Sequence, residues 1–408
     1  RQAIMRNPTE PIWNEDGTFY ENFAVNYYYN PVGIIREQDG KYNSENTWMT
    51  GNITFEPIKN WQTNLMLSRR VTSDHNRGYY TSEYFSQKSE NHTGYAYHSQ
   101  NEYITDNLEV TSKYNHTWNK HRFDALVGYN YQYNVNEGFG ANNYDYPTDF
   151  YLWNNLGLGT ALKDGKAGMS SYKNDNTLIG FFGRVSYGYD NKYNVLLSVR
   201  REGSSKFGEN NKWATFPSVA LGWRIDQEEF LKEISWISQL KLRLGYGVTG
   251  NSAITPYQTK GGISSLYYPF GPNPTQGYIA YENEAGITNT LANQNLGWEK
   301  TAQWNIGVDF NFFNGRINGI VDVYTSKTTD LLMAQSIPTL TGYARTYANV
   351  GKTKNFGYDL TFNFVPVRTK DFEWNIGVNA AYSRNEIVSL ANGKEDDPAN
   401  GWVIGEST

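Results

Sequence analysis

Residues 305–312 alternate without a break: Ile306, Val308, Phe310 and Phe312 are apolar, while Asn305, Gly307, Asp309 and Asn311 are polar or small. A two-residue period is that of a β-strand, and Asn314-Gly315 is a dipeptide that closes a tight hairpin before Arg316 opens a second run. Similar alternation predicts strands at 21–29, 47–56, 61–70, 106–117, 122–134, 178–189, 193–202, 214–225, 240–249, 303–313, 316–326, 356–366 and 372–384. Two environments suit such strands. A soluble sandwich buries the apolar face against a second sheet, whereas a membrane barrel turns it to lipid and keeps the polar face inside.

The connections favour the second. Short turns fall at 56–60, 117–121, 189–192, 313–316 and 366–371, and long loops at 71–105, 135–177, 250–302 and 327–355. The expected topology puts all the short turns at one end and the long loops at the other, as in an outer-membrane barrel with periplasmic turns and extracellular loops. The turn at 226–239 is longer and reads as one short helix capped by Asp226. Side-chain faces agree with a lipid boundary: Leu197, Val199, Val308 and Phe310 point to lipid, and Arg200, Asp309 and Asn311 to the lumen. Ile179, Phe181, Val185, Tyr187 and Tyr189 likewise oppose Phe182, Arg184 and Ser186, and Phe372, Trp374, Ile376 and Val378 oppose Glu373, Asn375 and Asn379.

Composition narrows the function classes. Aromatic residues make up 16% of the 408, with 33 Tyr and 12 Trp, an excess that suits membrane interfaces and ligand-binding loops. A mean hydropathy of −0.67 and the lack of any apolar run near 18 residues exclude helical membrane spans but not a barrel, whose strands are half polar. A net charge of −5 gives no basic footprint for nucleic acid. The absence of Cys removes disulfides, thiolate metal sites and Cys nucleophiles together. Arg1 opens the chain without an initiator Met or signal peptide, and GWVIGEST ends it abruptly, so the chain reads as an internal fragment.

Particular words then carry more than periods. LKLRLGYGVTGNSAITPYQ (240–258), NQNLGWEKTAQWNIGVDFNFFNGRINGIVDVYTSKTTDLL (293–332) and TGYARTYANVGKTKNFGYDLTF (341–362) resemble the barrel of the SusC/RagA family of TonB-dependent outer-membrane importers of Bacteroidota, and NPTEPIWNEDG (7–17) resembles an earlier stretch of it. The resemblance implies an all-β fold, part of a transmembrane antiparallel 22-stranded β-barrel whose plug and TonB-binding segment are not in this chain. On that reading residues 1–408 are part of a single barrel domain of about thirteen strands. The implied function is active import of oligosaccharides or peptides, not catalysis. The implied partners are a SusD-like surface lipoprotein, TonB, outer-membrane lipid and a dimer of the transporter–lipoprotein pair, with no cofactor and no metal. A passive porin-like channel, or a secreted carbohydrate-binding β protein, is the alternative.

Tyr79, Tyr80, Tyr84, Tyr144, Tyr146, Trp153, Tyr267, Tyr268 and Phe270 cluster in the three longest loops, where flat rings can stack on sugars or peptide side chains or can pack loop on loop. Trp298 reads as an interfacial anchor, and GYGVTGN as a strand end entering a loop, since it has no Lys and no following helix for a phosphate site. His92 and His98 match no standard metal spacing, and Glu282 and Glu284 in YENEAG read as a charged loop.

Overall fold

The computed structural model describes residues 2–24, 28–260, 263–268, 275–280, 290–338, 340, 343, 345–398 and 401–407. The strands run β1 Gln38–Ile58, β2 Trp61–Tyr80, β3 Tyr95–Trp118, β4 His121–Tyr144, β5 Gly168–Tyr189, β6 Tyr193–Ser204, β7 Trp213–Arg224, β8 Ile237–Asn251, β9 Ile263–Tyr268, β10 Thr275–Ala280, β11 Thr290–Leu291, β12 Glu299–Phe312, β13 Ile317–Thr329, β14 Leu332–Ser336, β15 Arg345–Asn349, β16 Lys352–Arg368, β17 Glu373–Ser389, β18 Asp396–Asp397 and β19 Trp402–Val403. Twelve of them form one sheet, in the order β1-β2-β3-β4-β5-β6-β7-β8-β12-β13-β16-β17, so each strand lies beside the one it follows and the smaller strands sit in the loops.

The hairpin at 305–326 is realised as read: Phe312 pairs with Ile317, Val308 with Val321 and Ile306 with Val323. Phe313, Asn314 and Gly315 all take positive φ in the turn, which suits the Asn-Gly pair. Because directly paired residues share a face, the registers propagate one apolar wall across the sheet. It runs from Val185 through Leu197, Val219, Tyr246, Trp304, Thr325 and Phe356 along one row, and from Tyr187 through Val195, Leu221, Leu244, Ile306, Val323, Tyr358 and Tyr382 along the next. Leu197, Val199, Ile306 and Trp374 are about half exposed, as side chains in a lipid-facing wall would be.

The opposite face is polar and pairs its own charges. Gly307 lies directly between Arg243 on β8 and Asp322 on β13, and a Cβ there would meet the Arg243 guanidinium at 2.6 Å. With that space free, Arg243 reaches across β12, its Nη2 donating to Asp322 Oδ2 at 2.9 Å while its Nε donates to Asp309 Oδ1 at 2.9 Å. Asp309 and Arg200 therefore stand on the face opposite Val308 and Val199, as the alternation requires.

Two expectations are corrected. Residues 21–24 and 28–30 form no strand; the buried Asn30 donates to the carbonyls of Ile12 and Tyr20 and caps the helix Pro31–Arg36, which uses its polar groups locally instead of in a ladder. The main sheet accordingly has twelve strands, against the thirteen alternating segments. The strands are also taller than the apolar pattern. β2 continues through Ser73, Asp74, His75 and Asn76 to Tyr80, and β4 continues to Tyr144, so the connecting loops shrink to 81–94 and 145–167. A ladder needs paired backbone, not apolar side chains, so it persists where the lipid-facing signal has faded.

Contacts group the chain into two units, the first comprising 1–50, 68–106 and 133–175, the second 51–67, 107–132 and 176–408. In the second unit backbone hydrogen bonds join the short turns side by side: Asn115 N–H donates to Asn60, Asp190 to Lys120, Arg224 to Lys192, Phe313 to Trp236 and Val365 to Arg316. The turn at 225–236 holds a 3₁₀ turn, Ile225–Gln227, and a helix, Glu229–Lys232, that Asp226 does not cap. Asp226 is buried and instead accepts from Arg224, Gln227 and the Leu240 N–H; burial alone would raise its carboxyl, but these bonds hold it below the usual carboxylate range.

The wall predicts a sidedness. Leu197→Arg should cost about 2–4 kcal/mol and Ser198→Arg little, because only the first puts a cation in hydrocarbon. Equilibrium refolding of the full-length protein into lipid vesicles measures the difference, and equal costs would contradict the assigned faces.

Candidate functional site

In the first unit the loops build a small core on the strand ends. Tyr79, Ala96 and Tyr146 are buried, with Leu152, Trp153, Leu156 and Leu158 packed around them. The Tyr79 and Tyr146 rings meet edge to face at 5.5 Å. The Tyr79 hydroxyl donates to Asp149 Oδ1 at 2.7 Å, and Asp149 also accepts from the Ser82 N–H and hydroxyl. Buried Asn143 donates through Nδ2 to the carbonyls of Leu156 and Gly159, both at 2.8 Å. His98 Nε2 donates to the Trp153 carbonyl at 2.8 Å, and His92 Nδ1 lies 2.9 Å from Asp145 Oδ1. Both histidines thus hold loop backbone or loop charge, and the described residues contain no cluster able to hold a metal.

These contacts sort the candidate rings. Tyr79 and Tyr146 are enclosed and present no free face to a ligand; their burial supports the loop-packing role. Tyr80, Tyr84, Tyr144 and Trp153 are half-buried. Tyr80 stacks on Tyr84 at 4.4 Å and lies 5.6 Å from Tyr95, which lies 4.6 Å from Tyr144, itself 4.8 Å from His92. The result is a continuous aromatic strip. Tyr95 at its centre was not among the residues singled out, although the alternation in Tyr95-Ala96-Tyr97 carries the signal: Ala96 faces the core and the two tyrosines the strip. Tyr267 and Tyr268 end β9, which pairs with β10, and Phe270, Glu282 and Glu284 lie outside the described residues.

In the second unit the distinctive sequence words meet at one place. Phe207, Ala214, Phe216, Ile254, Leu296 and Trp298 form a buried cluster. Trp298 lies 5.0 Å from Phe207 and 5.4 Å from Phe216, and its Nε1 donates to the Lys212 carbonyl at 2.8 Å. It is a loop-core residue, which corrects its reading as an interfacial anchor: its polar tip is satisfied inside the protein rather than at a headgroup. Asn349 clamps the neighbouring Gly297 on both sides, accepting from its N–H at 2.7 Å and donating to its carbonyl at 2.8 Å. Glu299 accepts from Asn251 Nδ2 and from the Leu332 N–H, both at 3.1 Å. TGN, NLGWEKT and NVGKTKNFG are therefore loop-tying words, in which side-chain amides and a carboxylate replace the backbone partners that the sheet no longer supplies. Gly351 takes φ +84° where the chain turns back toward β16.

A continuous antiparallel sheet, apolar on one face, charge-paired on the other, with short turns at one end and tied loops at the other, defines a section of transmembrane β-barrel wall. Residues 6–405 match the family described as TonB dependent receptor-like, beta-barrel. The TonB-dependent receptor SusC of Bacteroides thetaiotaomicron is 32% identical over 97% of this chain and 40% of its own length, and the TonB-dependent receptor P3 of Formosa agariphila is 36% identical over 69% and 27%. The solved structure of the RagAB peptide transporter superposes with a TM-score of 0.82 at 26% identity, over 95% of this chain and 42% of that one. The chain belongs to the TonB-dependent receptor-like β-barrel family, in its SusC/RagA branch, a family of the outer membrane and not of enzymes. It spans about two fifths of the length of SusC and of the RagAB chain.

Two outcomes follow from the loop cores. Trp298→Ala should destabilise its loop cluster by about 3–5 kcal/mol, read as a rise in local amide exchange at 205–212 and 293–298. Burial, with Tyr95 nearby, pushes the Tyr146 hydroxyl up to about 12. Its folded value lies above the unfolded one of about 10, so its contribution to stability is complete below that pH and is lost as pH rises through about 12. In tyrosinate absorbance, Tyr146→Phe should remove a late-titrating group; loss of a group titrating near 10 instead would refute the burial argument.

Proposed function

We propose that residues 1–408 are part of one barrel domain of an active outer-membrane importer that takes up oligosaccharides or peptides. The importer works with a SusD-like surface lipoprotein and draws energy through TonB, by way of segments outside these residues. The observation that carries this reading is the likeness to SusC and to the RagAB peptide transporter along nearly the whole chain, combined with loops that are built and tied rather than loose. A passive channel does not need such loops. A folded aromatic surface, with apolar rings and hydroxyl tips, can hold both a lipoprotein lid and a ligand, and Tyr80, Tyr84 and Tyr144 are the candidate contacts on it, while Trp153 packs against the loop core. Two transporter–lipoprotein units pairing as a dimer belongs to the same reading.

Ligand gripped between lid and barrel does not move inward against its own affinity unless another free-energy source remodels the site. In cells carrying the full-length protein, uptake should therefore collapse when the proton gradient is dissipated or TonB is deleted, while surface binding persists. Undiminished uptake after either treatment would identify a passive channel instead.

A further inference from the structure

At the short-turn end of the wall, β3, β4 and β5 carry a column of rings that the import reading does not use. Trp118 stacks on His121 at 5.3 Å and 10°, and on His116 at 5.4 Å, with Tyr114 beyond His116. His121 is flanked by Tyr187 and Tyr189. The column stands on the apolar face: the alternate residues Asn115, Thr117, Arg122 and Asp124 line a cavity of about 440 Å³ with Arg184 and Ser186, and Tyr187 pairs with Val195 in the wall. Tyr114, His116, Trp118 and Tyr189 are exposed. At about 3.3 Å per residue, His116 lies roughly 7 Å from Trp118, the last residue before the turn, which is the depth of a headgroup layer.

A neighbouring sector shows what the protein does when it satisfies such tips itself. Tyr193 and Trp223 both donate to Glu228 Oε1, with Lys192 beside it, and the bonds from Tyr193 and then Trp223 hold the Glu228 carboxyl below its usual range. The column has no such acceptor. His121 Nδ1 is taken by the Tyr187 hydroxyl at 2.7 Å, and among the described residues His121 Nε2, His116 and Trp118 have no protein hydrogen-bond partner.

We propose that His116, Trp118 and His121 form a docking site for the phosphodiester of a phospholipid in the periplasmic leaflet, whose acyl chains continue down the apolar wall. Ring N–H groups at headgroup depth find an anionic oxygen there, and charge-assisted bonds are stronger than those to water or to an ester carbonyl. The neighbouring cation Lys120 is held by Asp190 at 2.8 Å, so the imidazole and indole donors define the site.

The test uses the full-length protein in detergent, titrated with dimyristoylphosphatidylglycerol or with dimyristoylglycerol, which has the same chains and no phosphate, and read by native mass spectrometry. The phospholipid should be retained in preference, and His116→Phe/His121→Phe, which keeps the rings but not the donors, should lower that retention roughly tenfold. His116→Gln/His121→Gln, which restores N–H donors without the rings, should recover most of it. Equal retention of the two lipids by the unmodified protein, undiminished retention by the phenylalanine pair, or an equal loss in the glutamine pair would each overturn the proposal.

Discussion

The backbone amide in hydrocarbon has no water to fall back on, and every other feature of this chain is arranged around that fact. An unpaired N–H or C=O costs several kcal/mol in lipid, so the strands must pair along their whole membrane-crossing length, and pairing at period two fixes which side chains see lipid. Shifting one strand by a single residue would carry Asp309 and Asn311 into the row now held by Val308 and Phe310. The rows of mostly Val, Leu, Ile and aromatic residues, paired strand to strand, are thus cause and consequence of one register.

The polar face answers to a different requirement. Charges there sit among the partners the sheet supplies, and Arg243 shows how the backbone makes room: a glycine on the intervening strand lets one guanidinium serve carboxylates on two other positions. Each such pair is worth little where water reaches it. Its effect is on specificity, because Arg243, Asp309 and Asp322 can meet only when three strands are in their native registers.

This division explains what could be read from the chain. Where one face meets lipid the two-residue period runs nearly unbroken, and the main-sheet strands from 178 onward and their faces were legible in the sequence, whereas the short strands β9, β10, β11, β14 and β15 fall in segments read as loop. Beyond the membrane that filter stops. The upper parts of β2 and β4 are ordinary polar strand with nothing in their pattern to mark them, and they were read as loop. The segment around Tyr29 alternates by accident, while Asn30 commits it to local capping. The loop rings divided on a matter that sequence cannot express: Tyr79 and Tyr80 are adjacent and chemically identical, yet one is sealed under the loop and the other lies in the strip, because strand neighbours point to opposite faces.

The height of the strands bears on the loops as well. β1, β2, β3, β4 and β5 each run to 20 residues or more, about twice the length that crossing the hydrocarbon requires. The excess cannot be explained by membrane insertion, since it is polar and paired. It supplies rigid ends on which the loop core is assembled: Tyr79, Ala96 and Asn143 each stand one residue inside the ends of β2, β3 and β4, and these are the residues that hold loop 145–167 in place. In the second unit the strands are shorter, and buried Leu296 and Trp298 with the Asn349 and Glu299 clamps take over the same task. A loop anchored on a paired strand has less conformational freedom left to lose than a free one does, so the tall ladder preorganises the loop that it carries.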